Sequence, residues 1–284
     1  MISHGQFSQF CTKNRVGDFA MIRGVAFTGV YYALSAFYVF MALPTLAFPG
    51  RSATAFVIKS YTRAVRKALH LVGGIGHEVR GREHLPDGPF IIAAKHQSWG
   101  DGFLIYPEID NLAFVTGDHL EKFPFVSGIL QKLGAIVIDT CGGGNSKAQS
   151  LTEGLVRAKA DNRRILIYPE GHLAAPGHHY RYKSGVWHMQ EAMQVRVVPV
   201  ATNLGCYWRQ EDISKRPGRA IVEFLPPIEP GLSKNDFLDQ LATTIELKTS
   251  SLVAEATDTP AKPSQLLPDP QKPSAKSENR EHRA

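Results

Sequence analysis

The pattern of apolar and polar positions divides the chain into three stretches. Residues 24–50 run for 27 positions without a charged side chain, and about 20 predominantly apolar residues suffice to cross a bilayer. The Gly, Ser, Thr and Pro residues in this run make it less apolar than a committed anchor, and Pro44 and Pro49 could break it into a re-entrant or surface-lying hairpin. A buried core helix is the plainer alternative. Tyr31, Tyr32 and Tyr38 are placed like interfacial anchors, and no convincing cleavage site for a signal peptide follows. In residues 52–72, Phe56, Val57, Tyr61, Val65 and Leu69 recur at helical spacing with basic residues between them. A basic amphipathic helix beside an apolar run is suited to an anionic lipid surface.

From about residue 73 to 257 the period changes repeatedly. Short β-rich runs at 89–94, 112–116, 135–139, 164–168, 195–201 and 220–225 alternate with helical patterns at 146–160, 185–193 and 234–256. This alternation predicts a single α/β domain with a mostly parallel sheet flanked by helices, carrying N-terminal membrane-associated helices in residues 1–72. After residue 257, five prolines among Lys, Ser, Gln and Glu predict a disordered tail over 258–284, because it holds too little apolar surface to offset its ordering entropy. There is no internal repeat.

Charge sharpens this division. The chain carries a net +6, but residues 1–72 alone carry +7, with eight cations against Asp18, which leaves the other 212 residues at −1. The basic excess belongs to the membrane-like segment, so an anionic membrane is the expected partner and nucleic acid is not. More positive charge follows the apolar run than precedes it, which would place the domain at the cytoplasmic face of the inner membrane. Cys11, Cys141 and Cys206 are odd in number and widely spaced, giving neither a disulfide framework nor a metal pair.

The sharpest chemical feature is at residues 91–101, IIAAKHQSWGD. An apolar strand ends at Lys95, His96 follows, and Asp101 comes five residues later. Ligands of open α/β sheets bind at the carboxyl ends of strands. There Asp101 can orient one ring nitrogen of His96 while the other accepts a proton, with no serine or cysteine nucleophile required. Direct attack of a substrate hydroxyl on a thioester fits this pair. The alternative is that His96 caps the next helix and Asp101 pairs elsewhere.

The HxxxxD box from His96 to Asp101 resembles the first motif of the glycerolphosphate acyltransferase superfamily, and in particular its bacterial 1-acylglycerol-3-phosphate acyltransferases. Further boxes follow in the family order: Phe123-Pro124-Phe125 with Gly128, residues 134–139 (GAIVID), Tyr168-Pro169-Glu170-Gly171, and Val198-Pro199-Val200. Pro176-Gly177, Tyr182-Lys183 and Gly185-Val186 are similar to the connecting segment of bacterial members. The match covers about residues 75 to 225. The resemblance implies that His96 is the base and Asp101 its partner. It further implies that Glu170 and Gly171 help bind the acceptor, with Pro169 supporting that box and Pro199 shaping an acyl pocket. Acyl-CoA or acyl carrier protein would be the co-substrate, with no further cofactor.

The departures from the family pattern concern the acceptor. Thr140 stands where the second motif has arginine, His172 and Leu173 replace the Thr-Arg that ends the third, and Gly117 replaces a lysine. In the family these cations surround the acceptor's phosphate, a task suited to arginine's planar fork. Lys122, Arg181, Lys183 or the histidines His172, His178 and His179 could rebuild such a site. Otherwise the acceptor lacks a phosphate monoester, as a lyso-aminolipid does. The second option is the expectation taken here, with phosphatidate synthesis from lysophosphatidate as its alternative. A non-catalytic lipid-binding descendant and a thioesterase-like hydrolase are the rivals from other classes. The histidines at 172, 178, 179 and 188 match no metal spacing, and no metal is expected.

Overall fold

The computed structural model describes residues 4–117, 125–138, 144–210 and 212–270, with side-chain surroundings described from residue 19 and, in the helix that starts at Gly144, from residue 151. Two helices open the chain, α1 (His4–Ala42) and α2 (Ser52–Leu71), joined through a 3-10 turn at Leu43–Ala47. There follow β1 (Ile75–Arg80), β2 (Ile91–Ala94), α3 (Asp101–Ile105), β3 (Leu112–Gly117), α4 (Val126–Leu133) and β4 (Ile136–Ile138). The remainder comprises α5 (Gly144–Ala160), β5 (Arg164–Ile167), β6 (His178–His179), α6 (Gly185–Met193), β7 (Val197–Thr202), β8 (Gly218–Phe224), α7 (Lys234–Thr257) and β9 (Gln265–Leu266).

Seven of the strands make one sheet in the order β1-β8-β7-β2-β5-β3-β4. Neighbours are parallel except β7 and β8, so the expected mostly parallel α/β sheet is present. The central strands are covered on both faces, which is why they read as continuous apolar runs rather than alternating ones. Alternation nonetheless sorts their side chains. Ile92, Ala94, Leu166, Val198 and Val200 pack with α1, α2 and α3 residues, while Ile91, Ala93, Ile165, Ile167 and Val197 pack with α5, α6 and α7. β1, IGHEVR, escapes a pattern search because it is an edge strand paired only with β8 and needs little apolar content.

The N-terminal helices form a hairpin laid on this domain. Ser35 and Tyr61 hydroxyls meet at 2.7 Å and those of Thr45 and Thr54 at 2.8 Å, tying α1 to α2. Phe27, only 1% exposed, packs edge-on against Trp208 at 5.0 Å. Gly24 is required by close approach, since a Cβ there would lie 2.0 Å from the Ile213 carbonyl oxygen. Four residues earlier, the Ala20 carbonyl accepts the Lys215 amide at 3.1 Å. The opposite face of α1 is apolar and bare, with Ile22, Val25, Tyr32, Phe37 and Phe40 exposed, continuing into Phe48 and Phe56.

The first part of the Pro-rich tail makes main-chain contacts with the domain. Gln265–Leu266 pair in parallel with His178–His179, and the amides of Gln265 and Leu267 donate to the Gly177 and His179 carbonyls at 2.9 and 2.8 Å. Composition missed this because the segment makes main-chain bonds and buries little, as the exposure of Leu266 shows. Residues 271–284 lie outside the described residues.

Candidate active site

β2 delivers the chemistry to its carboxyl end. After Ala94 the chain turns through Lys95 and His96 and starts α3 at Asp101, whose carboxylate sits in the first helical turn where the helix dipole favours an anion. Asp101 is fully buried and its Oδ2 accepts three N–H groups: His96 Nδ1 at 3.0 Å, the Gln97 amide at 2.8 Å and the Ser98 amide at 2.9 Å. Such a carboxylate is fixed in place by its three donors. It selects the imidazole tautomer with hydrogen on Nδ1, leaving the Nε2 lone pair for an incoming proton. The His96 ring stacks on Tyr168 with centroids 3.9 Å apart and planes at 16°, and its side chain remains 20% exposed. The expected pairing of His96 with Asp101 is therefore present, and the capping alternative is absent.

Three buried polar groups around this pair have no partner among the described residues: the amide of Gln97, Asp101 Oδ1 and the Tyr168 hydroxyl. Burial raises the Tyr168 hydroxyl pKa well above its ordinary value, and the Asp101 charge adds to that, so it remains a neutral phenol. Gln97 was not singled out by the motif, and nothing in the sequence distinguishes it from a surface glutamine.

Glu170 departs from expectation. The resemblance places it against the acceptor, but it is fully buried, with Oε2 accepting from Lys95 Nζ at 3.0 Å and from the Tyr180 amide at 2.8 Å. Burial is the main cause that raises its pKa, opposed by Lys95. Its carboxylate is taken up by these internal partners. In the neighbouring loop Gly171 has φ +71° and is open, and a Cβ on it would meet Lys183 Nζ at 2.8 Å, so the Lys183 side chain lies across the glycine. Lys183 is exposed and anchored through its own amide on the Pro169 carbonyl at 2.9 Å. His172 is half-buried against Tyr180, and burial, then the Lys183 charge, holds its pKa below the usual histidine range. Gly171, His172 and Lys183 thus converge with one cation among them.

Pro199 lies buried in β7, paired with Ala93. His178 and His179 face the tail strand, His179 Nδ1 meeting Ser264 Oγ at 3.0 Å, and His188 packs on Trp187. Among the described residues no group of three His, Cys, Asp or Glu could hold a metal ion. Thr140 and Lys122 lie outside the described residues.

Known proteins resemble this chain in sequence and in fold. The model of the family described as Acyltransferase matches residues 76–203. A 1-acyl-sn-glycerol-3-phosphate acyltransferase of Pseudomonas aeruginosa is 30% identical over 187 residues, covering 66% of this chain and 72% of its own length. The alpha form of the enzyme of that name from Mus musculus is 26% identical over 205 residues, 70% of each chain. The crystal structure of the 1-acyl-sn-glycerophosphate acyltransferase of Thermotoga maritima superposes with a TM-score of 0.69 at 20% identity, over 83% of this chain and 98% of that one, a likeness of fold. With His96, Asp101, Gly171 and Lys183 all inside the matched stretch, the chain belongs to the acyltransferase family that includes the 1-acyl-sn-glycerol-3-phosphate acyltransferases.

Proposed function

We propose that this chain transfers a fatty acyl group from the thioester of coenzyme A or acyl carrier protein to the free hydroxyl of a lysophosphatidate-class acceptor. The observation that carries the choice of acceptor is Lys183 lying across Gly171, beside a histidine kept neutral. It supplies a cation where the sequence lacks the family's arginines, and the named relatives act on such acceptors. This replaces the non-phosphate acceptor that the missing cations alone suggested.

In the reaction, the acceptor hydroxyl attacks the thioester carbonyl carbon as His96 Nε2 takes its proton, and Asp101 offsets the imidazolium charge. The carbonyl π pair moves to oxygen, then returns to expel the thiolate. His96 passes the proton to sulfur, leaving an ester and a free thiol. No activated side-chain nucleophile is needed because the thioester is already reactive. The stacked Tyr168 ring and the buried Asp101 keep the imidazole from rotating between its two proton transfers.

The apolar face of α1 and the exposed Phe48 and Phe56 support docking on a membrane, with both lipid chains delivered from it. The stretch Phe19–Ala47 is long and apolar enough to cross. Its other face, however, is fixed to Trp208, Ile213 and the Lys215 amide. Crossing would carry those groups into hydrocarbon, so the hairpin enters one leaflet instead. Lys59 and Arg66 of α2 pair with Asp110 and Glu108, while the exposed Arg63 and Lys67 favour the anionic cytoplasmic leaflet.

Purified membranes with labelled acyl-CoA and a panel of lysolipids test the proposal. Transfer to lysophosphatidate that vanishes in His96→Ala is the expected result. Transfer only to a lyso-aminolipid would restore the reading that the lost arginines mark a change of acceptor. Release of free fatty acid without any acceptor would indicate a hydrolase, and inactivity with every lysolipid would favour a lipid-binding role.

A further inference from the structure

Lys95 comes directly before the base and is fully buried. Its amide donates to the Val200 carbonyl at 2.9 Å, extending the ladder between β2 and β7 by one position. Strand alternation then sends its side chain to the face of Ile91 and Ala93, covered by α7 through Phe237, Leu241 and Ile245. There Nζ donates to Glu170 Oε2 at 3.0 Å, to Glu246 Oε1 of α7 at 2.9 Å and to the His178 carbonyl at 2.9 Å. An ammonium has three donors, and all are used. Glu246 Oε1 also accepts the buried Tyr182 hydroxyl at 2.8 Å, and Glu170 Oε1 lies 3.5 Å from the His96 amide nitrogen.

A buried cluster of this kind adds little net stability, because desolvating the charges offsets their attraction and apolar groups of similar volume would serve as well. Its geometry is what an apolar cluster could not reproduce. It ties three separate stretches at one ammonium: the turn into His96, the loop that continues from Glu170 into Gly171 and His172, and the long helix α7. We propose that Lys95 and Glu246 are positioning residues for acyl transfer: together with Glu170 they register the base-bearing turn against the acceptor-side loop, with α7 as the fixed support. Glu170 then acts through Lys95 and the His96 backbone rather than by touching the acceptor. Glu246 lies 151 residues from Lys95, outside the stretch 76–203 that the family model matches.

The inference rests on the acyltransferase reading above, so the test carries wild type and His96→Ala beside the new variants. Glu246→Ala removes the α7 tether while Lys95 keeps Glu170 as its counter-charge. The expected result is a kcat lower by about tenfold, with KM for both substrates within about twofold of wild type, since a loss of registration acts on the reacting geometry. Glu246→Gln restores an oxygen acceptor at the same reach and should recover most of the rate, which a merely structural role would not require. Lys95→Arg keeps the charge in a planar fork that cannot meet the same three acceptors, and should lose about 100-fold in kcat. Wild-type kcat in Lys95→Arg, or a Glu246→Ala effect confined to thermal stability or to acceptor KM, overturns the proposal. A wild type inactive on lysophosphatidate and every other lysolipid would instead defeat the underlying function.

Discussion

From Lys95 to Asp101 every residue is buried or half-buried except Trp99, whereas from Gly171 to Lys183 only Ala174 and Tyr182 are buried. The first loop is held by backbone amides on Asp101, by ring stacking and by the Lys95 cluster. The second is held mainly through its backbone, by the Lys183 amide on Pro169 and by short pairing with the tail strand. This difference bears on the departure from the family motif at His172 and Leu173. A substitution within the base turn would disturb several bonds at once, while the open loop can exchange a threonine and an arginine for His172 and Leu173 without loss of packing. Under the proposed function, one loop carries the chemistry and the other meets the acceptor.

The comparison makes distinct kinetic demands. His96→Ala should lower kcat by about 10³-fold with the fold retained by circular dichroism. A kcat within tenfold of wild type would remove the base turn from the reaction. Asp101→Asn keeps acceptors for the Gln97 and Ser98 amides but loses the charge that offsets the imidazolium. A fall of about 10²-fold in kcat with unchanged KM is expected from steady-state rates, and an effect on KM alone would contradict the assigned role. On the open loop the sign of the effect moves to binding. Lys183→Met should raise acceptor KM by about tenfold, the worth of one hydrogen bond to a charged group, and leave donor KM alone. An unaltered acceptor KM would deny that Lys183 meets the phosphate.

Smaller effects probe the local backbone. Gly171→Ala forces a Cβ into a left-handed position against Lys183 Nζ, at a cost of about 1–2 kcal/mol. Thermal unfolding should register that cost, and acceptor KM should rise with it. A variant as stable as wild type would mean that the loop relaxes freely. For His172 the folded pKa is lowered by burial and by Lys183. Protonation therefore favours the unfolded chain, and stability is lost as pH falls below the free histidine value of about 6.5. His172→Gln should flatten that part of the stability–pH curve, a difference readable by denaturant titration at pH 7 and pH 5.

The legible features are those encoded locally. Six of the seven strands of the sheet and three of the longer helices follow from period and composition, because apolar strands and helices with one apolar stripe leave a mark in adjacent residues. His96 and Asp101 were visible for a similar reason: the bond between them spans one turn, so five positions of sequence contain the whole dyad. β1 left no such mark, being a polar edge strand, nor did the tail pairing at Gln265–Leu266, which uses main-chain groups that every residue carries.

What the sequence by itself determined was the fold class, His96 and Asp101 as the candidate pair, and the presence of an apolar, basic N-terminal segment, since each depends on neighbours along the chain. Only the tertiary structure decided that Glu170 is enclosed and bonded to Lys95, that Lys183 covers Gly171, and that α1 is fastened to Trp208 and Ile213 along one face. Those outcomes hinge on which side chains are excluded from water together. Lys95 and Glu246, separated by 151 positions, share one buried site only because β2 and α7 pack face to face.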